Sequence, residues 1–144
     1  MRRATLAILC VTLLVPLAGW AEKRVISPKE FSTGRPFSAG MLVDGTLYVS
    51  GQVGADLKTG KIPDEFEGEV RQTLDNIGLI LKEGGMGFQD VVSVQVYLTD
   101  MDLFQRMNAV YTTYFNEPRP TRTTVGVARL VGTARIEITV TARK

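Results

Sequence analysis

An α+β fold, with a mainly antiparallel sheet and two helices on one of its faces, follows from three patterns in the sequence. Apolar residues recur at helical spacing twice, at 66–81 and again at 103–115. Strand-like runs stand before, between and after these stripes, in the order ββ-α-β-α-ββ. A length of 144 residues suits one domain with a hydrophobic core of its own.

The N-terminus stands apart from this pattern. Arg2 and Arg3 precede an apolar run from Leu6 to Leu17, and Gly19 and Ala21 follow. A basic start, a short apolar stretch and small residues at −3 and −1 describe a signal peptide over residues 1–21, cut after Ala21. The expected location is therefore periplasmic or secreted. The alternative is an uncleaved anchor, but the run falls short of the ~20 apolar residues a spanning helix needs, so no membrane association is expected after cleavage. Cys10 sits in the middle of the run, where it does not suit lipid attachment at a cleavage point.

Cleavage removes Arg2 and Arg3 and no acid, so 17 basic and 15 acidic residues become 15 of each. The formal charge of +2 thus belongs to the leader and gives no argument for a nucleic-acid partner. Beyond Ala21 the sequence contains neither cysteine nor histidine. Disulfides, thiol nucleophiles, Cys/His zinc sites and histidine bases are excluded. Chemistry must come from carboxylates, arginine, hydroxyls, backbone groups and bound water.

Residues 22–37, with Pro28, Gly34 and Pro36, read as an arm that includes a short strand at Arg24–Ile26; the domain proper is expected over 38–144. Met41–Val43 and Thr46–Gly51 are strand-like and flank Asp44-Gly45, a two-residue hairpin signal. Asp64 and Glu67 have the spacing of a capping box ahead of a helix whose stripe is Phe66, Val70, Leu74, Ile77 and Leu81. Gly84-Gly85 ends it.

Val91–Leu98 alternates, with Val92, Val94, Val96 and Leu98 on one side and Ser93, Gln95 and Tyr97 on the other. Asp100 or Asp102 can cap a second helix carrying Leu103, Met107, Val110 and Tyr114, with Phe104, Tyr111 and Phe115 alongside; Pro118 and Pro120 follow it. Arg122–Arg129 is a less regular strand. Ala134–Ala142 sets Ala134, Ile136, Ile138, Val140 and Ala142 against Arg135, Glu137, Thr139 and Thr141. Two helices suffice to cover one sheet face. The other, with Ser93, Gln95, Tyr97, Glu137, Thr139 and Thr141, is neither apolar enough for a core nor charged enough for ordinary surface.

Two segments carry a resemblance to a known family. Leu47-Tyr48-Val49-Ser50-Gly51-Gln52 is one. The other runs Pro120-Thr121-Arg122-Thr123-Thr124-Val125-Gly126-Val127-Ala128-Arg129-Leu130 and, five residues on, Ile136-Glu137-Ile138. Both resemble signatures of the RidA/YjgF family, and Thr73–Ile77 and Val96–Met101 agree with it. The resemblance covers roughly residues 34–142.

It implies a chorismate-mutase-like (YjgF-type) protomer in a homotrimer with ligand clefts between subunits. It also implies hydrolytic release of ammonia from reactive enamines or imines, such as 2-aminoacrylate, to give 2-keto acids without metal or cofactor. By the same resemblance Arg122 holds the substrate carboxylate, Glu137 orients water near the substrate nitrogen, and Ser50 and Gly51 touch the ligand. Phe37 and Tyr97 complete the substrate-binding set. A guanidinium suits Arg122's role because its planar fork gives two parallel hydrogen bonds to a carboxylate. A carboxylate at Glu137 can take a proton from water. Plain structural roles stand beside these: a solvated edge-strand arginine, and a salt bridge from Glu137 to Arg135 or Arg122.

One position departs from the family. Arg35-Pro36-Phe37 stands where deaminase members read Gly-Pro-Tyr, so the ring is kept and its hydroxyl lost. Three readings follow: an exported deaminase, a non-catalytic trimer that binds small carboxylates, and a protein-interaction or chaperone-like module. Arg122 with Glu137 favours the first two, and Phe37 raises the second relative to the first.

Overall fold

The computed structural model describes residues 22–31 and 34–144; the predicted signal peptide lies outside them. Among the described residues no helix is long and apolar enough to cross a membrane. The elements are β1 (Lys23–Ile26), β2 (Gly40–Val43), β3 (Thr46–Val53), α1 (Phe66–Glu83), β4 (Val91–Leu98), α2 (Phe104–Tyr114), β5 (Thr121–Gly126) and β6 (Ile136–Arg143). The strands form one sheet in the order β1-β2-β3-β6-β4-β5. Every pairing is antiparallel except β4 with β5. The last strand in sequence is thus near the centre of the sheet, and Arg122 falls on an edge.

Local chemistry accounts for most of these elements. Asp44 and Gly45 have φ of 47° and 72°, the left-handed pair that a two-residue turn needs to match strand twist. In α1 the predicted stripe of Phe66, Val70, Leu74, Ile77 and Leu81 is fully inside the core. It packs with Val94, Val96, Leu98, Ile136, Ile138 and Val140 from the sheet and with Met107 and Val110 of α2. At about 25 cal/mol per Å² of apolar surface, this helix-on-sheet layer is the main source of stability.

Three expectations need correction. The capping box at Asp64 and Glu67 does not form: Glu65 is the N-cap and makes no side-chain cap bond. Glu67 is drawn instead to α2, where Arg106 donates two hydrogen bonds of 2.7 Å to its carboxylate. That contact holds the Glu67 carboxyl at about 2, below its usual range.

The second correction is Val92, predicted on the apolar side of β4 but 49% exposed, while Val91 is buried. Val91 opposes Ala142 and Ser93 opposes Thr141, so Val92 is an extra residue in the ladder. Such a bulge resets the in-out phase. From Ser93 onward the alternation holds as predicted.

The third is Arg135, expected beside Glu137 on the polar face. Strand β6 begins only at Ile136, and Arg135 turns to the helix side. There its Nε and its backbone N–H each donate to Glu69 at 2.6 Å, and its Nη2 donates to the Pro63 carbonyl at 2.8 Å. Glu69 is fully buried, and a buried carboxylate persists only when paired and hydrogen-bonded, so it claims the nearest guanidinium.

Candidate functional site

The face of the sheet away from the helices collects most of the singled-out residues. Ile136 and Ile138 point into the core, so Glu137 between them points the other way. Across the ladder Glu137 stands opposite Tyr97 of β4 on one side and Val53 of β3 on the other. The β3–β6 register shifts between Val49 and Gln52, which takes Ser50 and Gly51 out of the regular pleat. A bulge of this kind re-aims side chains next to a site. Gln52, buried beneath, donates from Nε2 to the carbonyls of Ser50 and Gly51 at 2.9 and 3.1 Å and holds the bulge.

Gly51 is required by what lies on it. A Cβ there would stand 1.9 Å from Oε1 of Glu137, so the carboxylate is laid directly over the glycine backbone. The Ser50 hydroxyl donates to the Ser38 carbonyl at 2.7 Å, which ties β3 to the segment carrying Phe37. Phe37 itself is exposed, with the Arg35 guanidinium 5.9 Å from its ring centre. Glu137, Tyr97, Ser50 and Gly51 therefore form one neighbourhood, with Phe37 joined to it through Ser38. Neither salt bridge considered for Glu137 forms: Arg135 belongs to Glu69, and Arg122 is elsewhere.

Arg122 lies on the opposite face. It pairs in register with Val94, which points into the core, and its guanidinium sits among side chains of α2. The Tyr111 ring centre is 4.5 Å from the guanidinium carbon, the Phe104 ring centre 5.5 Å, and Met107 Sδ 4.0 Å from Nη1. Among the described residues the ion pairs are Glu67–Arg106, Glu117–Arg119, Glu69–Arg135 and Asp90–Lys144; none involves Arg122 or Glu137. Two hydroxyls on this side, Tyr111 and Thr124, are buried without a hydrogen-bond partner among the described residues. Burial pushes the Tyr111 phenol up, with the Arg122 charge opposing, so the group against the guanidinium is a neutral ring. Sequence reading placed Tyr111 only as core. The Phe104–Met107–Tyr111 spacing was the available signal, and by itself it does not differ from an ordinary packing stripe.

The larger cavities lie away from these residues. Two grooves of about 530 and 610 Å³ run along the outer side of α1 near Leu79 and Lys82 and contain none of the predicted site residues. A smaller one of about 250 Å³ reaches Phe37 and Ser38. A cleft that needs a second protomer is an open surface on a single one, so cavity size does not locate it.

The six-stranded sheet with two helices on one face, a bulged Ser-Gly strand end and a glutamate folded over it define a protomer of the chorismate-mutase-like class. The chain belongs to the RidA/YjgF family: residues 28–144 match the family model described as Endoribonuclease L-PSP. Similar proteins include the 2-iminobutanoate/2-iminopropanoate deaminase of Mus musculus, 42% identical over 104 residues that span 72% of this chain and 77% of the mouse protein. Among solved structures, RidA from the Antarctic bacterium Psychrobacter sp. PAMC 21119 is 30% identical, covers 84% of this chain and all (100%) of its own, and superposes with a TM-score of 0.79. E. coli TdcF with bound serine is 29% identical over 84% of this chain and 98% of its own, at a TM-score of 0.79.

Proposed function

We propose that this protein hydrolyses reactive 2-imino acids, and the enamines that tautomerise to them, to 2-keto acids and ammonia. The observation that carries the reading is a pair of complementary groups kept apart. Arg122 and Glu137 are both without an ion-pair partner among the described residues, and the sheet separates them within one protomer. A ligand that uses both must bind between protomers, with Arg122 from one and the Glu137–Gly51 neighbourhood from its partner. The deaminase named in mouse and the serine bound by TdcF support a small amino- or imino-acid ligand with a carboxylate for Arg122 to hold.

In this arrangement the guanidinium fork grips the carboxylate. Water adds to the imine carbon as Glu137 takes its proton and passes one to the nitrogen. The hydroxyl of this adduct then gives its proton, through Glu137, to the amine as the C–N bond breaks, so that ammonia leaves and the carbonyl of the keto acid forms. The sequence holds no histidine, and the steps above need none. With the leader over residues 1–21 removed, the reaction runs in the periplasm or outside the cell.

The direct test is ammonia release from 2-iminobutanoate generated in situ by an amino-acid oxidase. A rate above that of uncatalysed hydrolysis is expected, and Phe37→Tyr, which restores a hydroxyl donor, should raise it with little change in stability. If both proteins stay at background while 2-oxobutanoate still binds, the protein is a carboxylate binder and not an enzyme. Gly51→Ala should lower turnover while leaving thermal unfolding nearly unchanged, because the atom it strikes is the tip of the flexible Glu137 side chain. Full activity in that variant would remove Glu137 from the mechanism. Material from the native host should start at Glu22 and scatter light as a trimer; a monomer starting at Met1 would contradict both the shared cleft and the export.

A further inference from the structure

The Arg122 guanidinium has no carboxylate to fix it, yet a residue meant to grip a ligand with a planar fork must be held in one orientation. What holds it here is aromatic. Tyr111 presents its ring 4.5 Å below the guanidinium carbon, well within the ~6 Å at which the negative face of a ring attracts a cation. The ring is itself immobile: only 3% exposed and stacked on Phe115 at 4.3 Å with an interplanar angle of 26°. Phe104 adds a second, longer contact at 5.5 Å. The Tyr111 hydroxyl has no hydrogen-bond partner of normal geometry among the described residues, and the Arg122 guanidinium lies close enough to oppose the rise in its pKa.

We propose that Tyr111 is a positioning residue for Arg122, a π platform that takes the place of an ion-pair partner and leaves the guanidinium's donors turned to an incoming carboxylate. An acidic partner in the same place would orient the arginine equally well but would compete with the ligand for its N–H groups. A ring face orients the cation without occupying a donor, and Nη1 meets only a weak acceptor, Met107 Sδ at 4.0 Å. The inference rests on the carboxylate-binding role of Arg122 and adds what makes that role possible.

The test varies the ring's electrons and keeps its shape. Tyr111→Phe and a series of increasingly fluorinated phenylalanines at position 111 are titrated with 2-oxobutanoate, alongside Arg122→Ala. Tyr111→Phe sets the reference affinity for the series, since it removes the hydroxyl and keeps a phenyl face that also binds a cation. Affinity should then fall stepwise with each added fluorine, to a total loss of ~3- to 30-fold, the range that a partly desolvated cation–π contact spans. A merely structural role would not follow the fluorine count, because packing volume hardly changes along the series. In the Arg122→Ala background the same series should be flat. If affinity is constant across the series while Arg122→Ala weakens binding, the platform role is wrong and the carboxylate site stands. If Arg122→Ala also leaves binding unchanged, both are wrong.

Discussion

Arg122→Ala is expected to weaken 2-oxobutanoate binding by about 1.5–3 kcal/mol, the worth of a charge-assisted, bidentate hydrogen-bonded pair, or ~10- to 150-fold in Kd. Isothermal titration on the purified protein measures it directly. Stability should fall by about 1–2 kcal/mol, because the guanidinium has no ion pair to lose but gives up its contacts with the Tyr111 and Phe104 rings, while the backbone pairing with β4 remains. Arg122→Lys should recover only a small part of the affinity. An ammonium is a point charge that cannot make two parallel bonds to one carboxylate, and it stacks less well on the Tyr111 ring. An unchanged Kd in Arg122→Ala would move the ligand site elsewhere and favour the interaction-module reading.

The second large effect is on stability. Glu69 is fully buried and accepts from the Arg135 backbone N–H and Nε at 2.6 Å each, and from the Ile136 N–H at 3.3 Å. Glu69→Ala leaves those donors unsatisfied and opens a void beside Gly54, whose Cβ position would lie 2.6 Å from Cγ of Glu69. Breaking a buried pair costs ~3–5 kcal/mol. The Arg135 side chain is 34% exposed and can partly rehydrate, so the low end, about 3 kcal/mol, is expected. Glu69→Gln keeps one carbonyl acceptor and loses the charge, and should fall between. Urea unfolding should show the midpoint shifting at constant slope. A loss below about 0.5 kcal/mol in Glu69→Ala would mean the clamp is only a surface ion pair.

How far the sequence reached depended on whether a feature is local. The α1 stripe, the Asp44-Gly45 hairpin and the alternation of β6 from Ile136 onward are set by residues a few positions apart, and they stand as read. The three misplaced residues, Glu67, Val92 and Arg135, are each governed by something distant. Arg106 of α2 takes Glu67 out of its cap, and Glu69 takes Arg135 off the polar face. Val92 is displaced by the register of β6, and with valines at 91, 92, 94 and 96 either phase is apolar enough to pass. Alternation put Glu137 on the polar face, where it lies, but neither resemblance nor pattern gave the face of Arg122, because that depends on the β4–β5 register. The ring beneath Arg122 was hidden for a related reason: an aromatic in a helical stripe has the same spacing whether it fills a core or carries a cation.

The strand order gives the two halves of the proposed cleft different mechanical characters. Strand β6, with Glu137, is hydrogen-bonded to β3 on one side and β4 on the other, whereas β5, with Arg122, is an edge strand bonded only to β4. Amides around Glu137 should therefore exchange with deuterated solvent only through near-global opening, while those around Arg122 exchange through local fraying of an edge. In the proposed assembly each cleft would join a stiff wall from one protomer to an edge strand from its partner. In that proposal the stiff wall keeps Glu137 in place, while Arg122 is steadied by the Tyr111 ring of α2 rather than by its own strand.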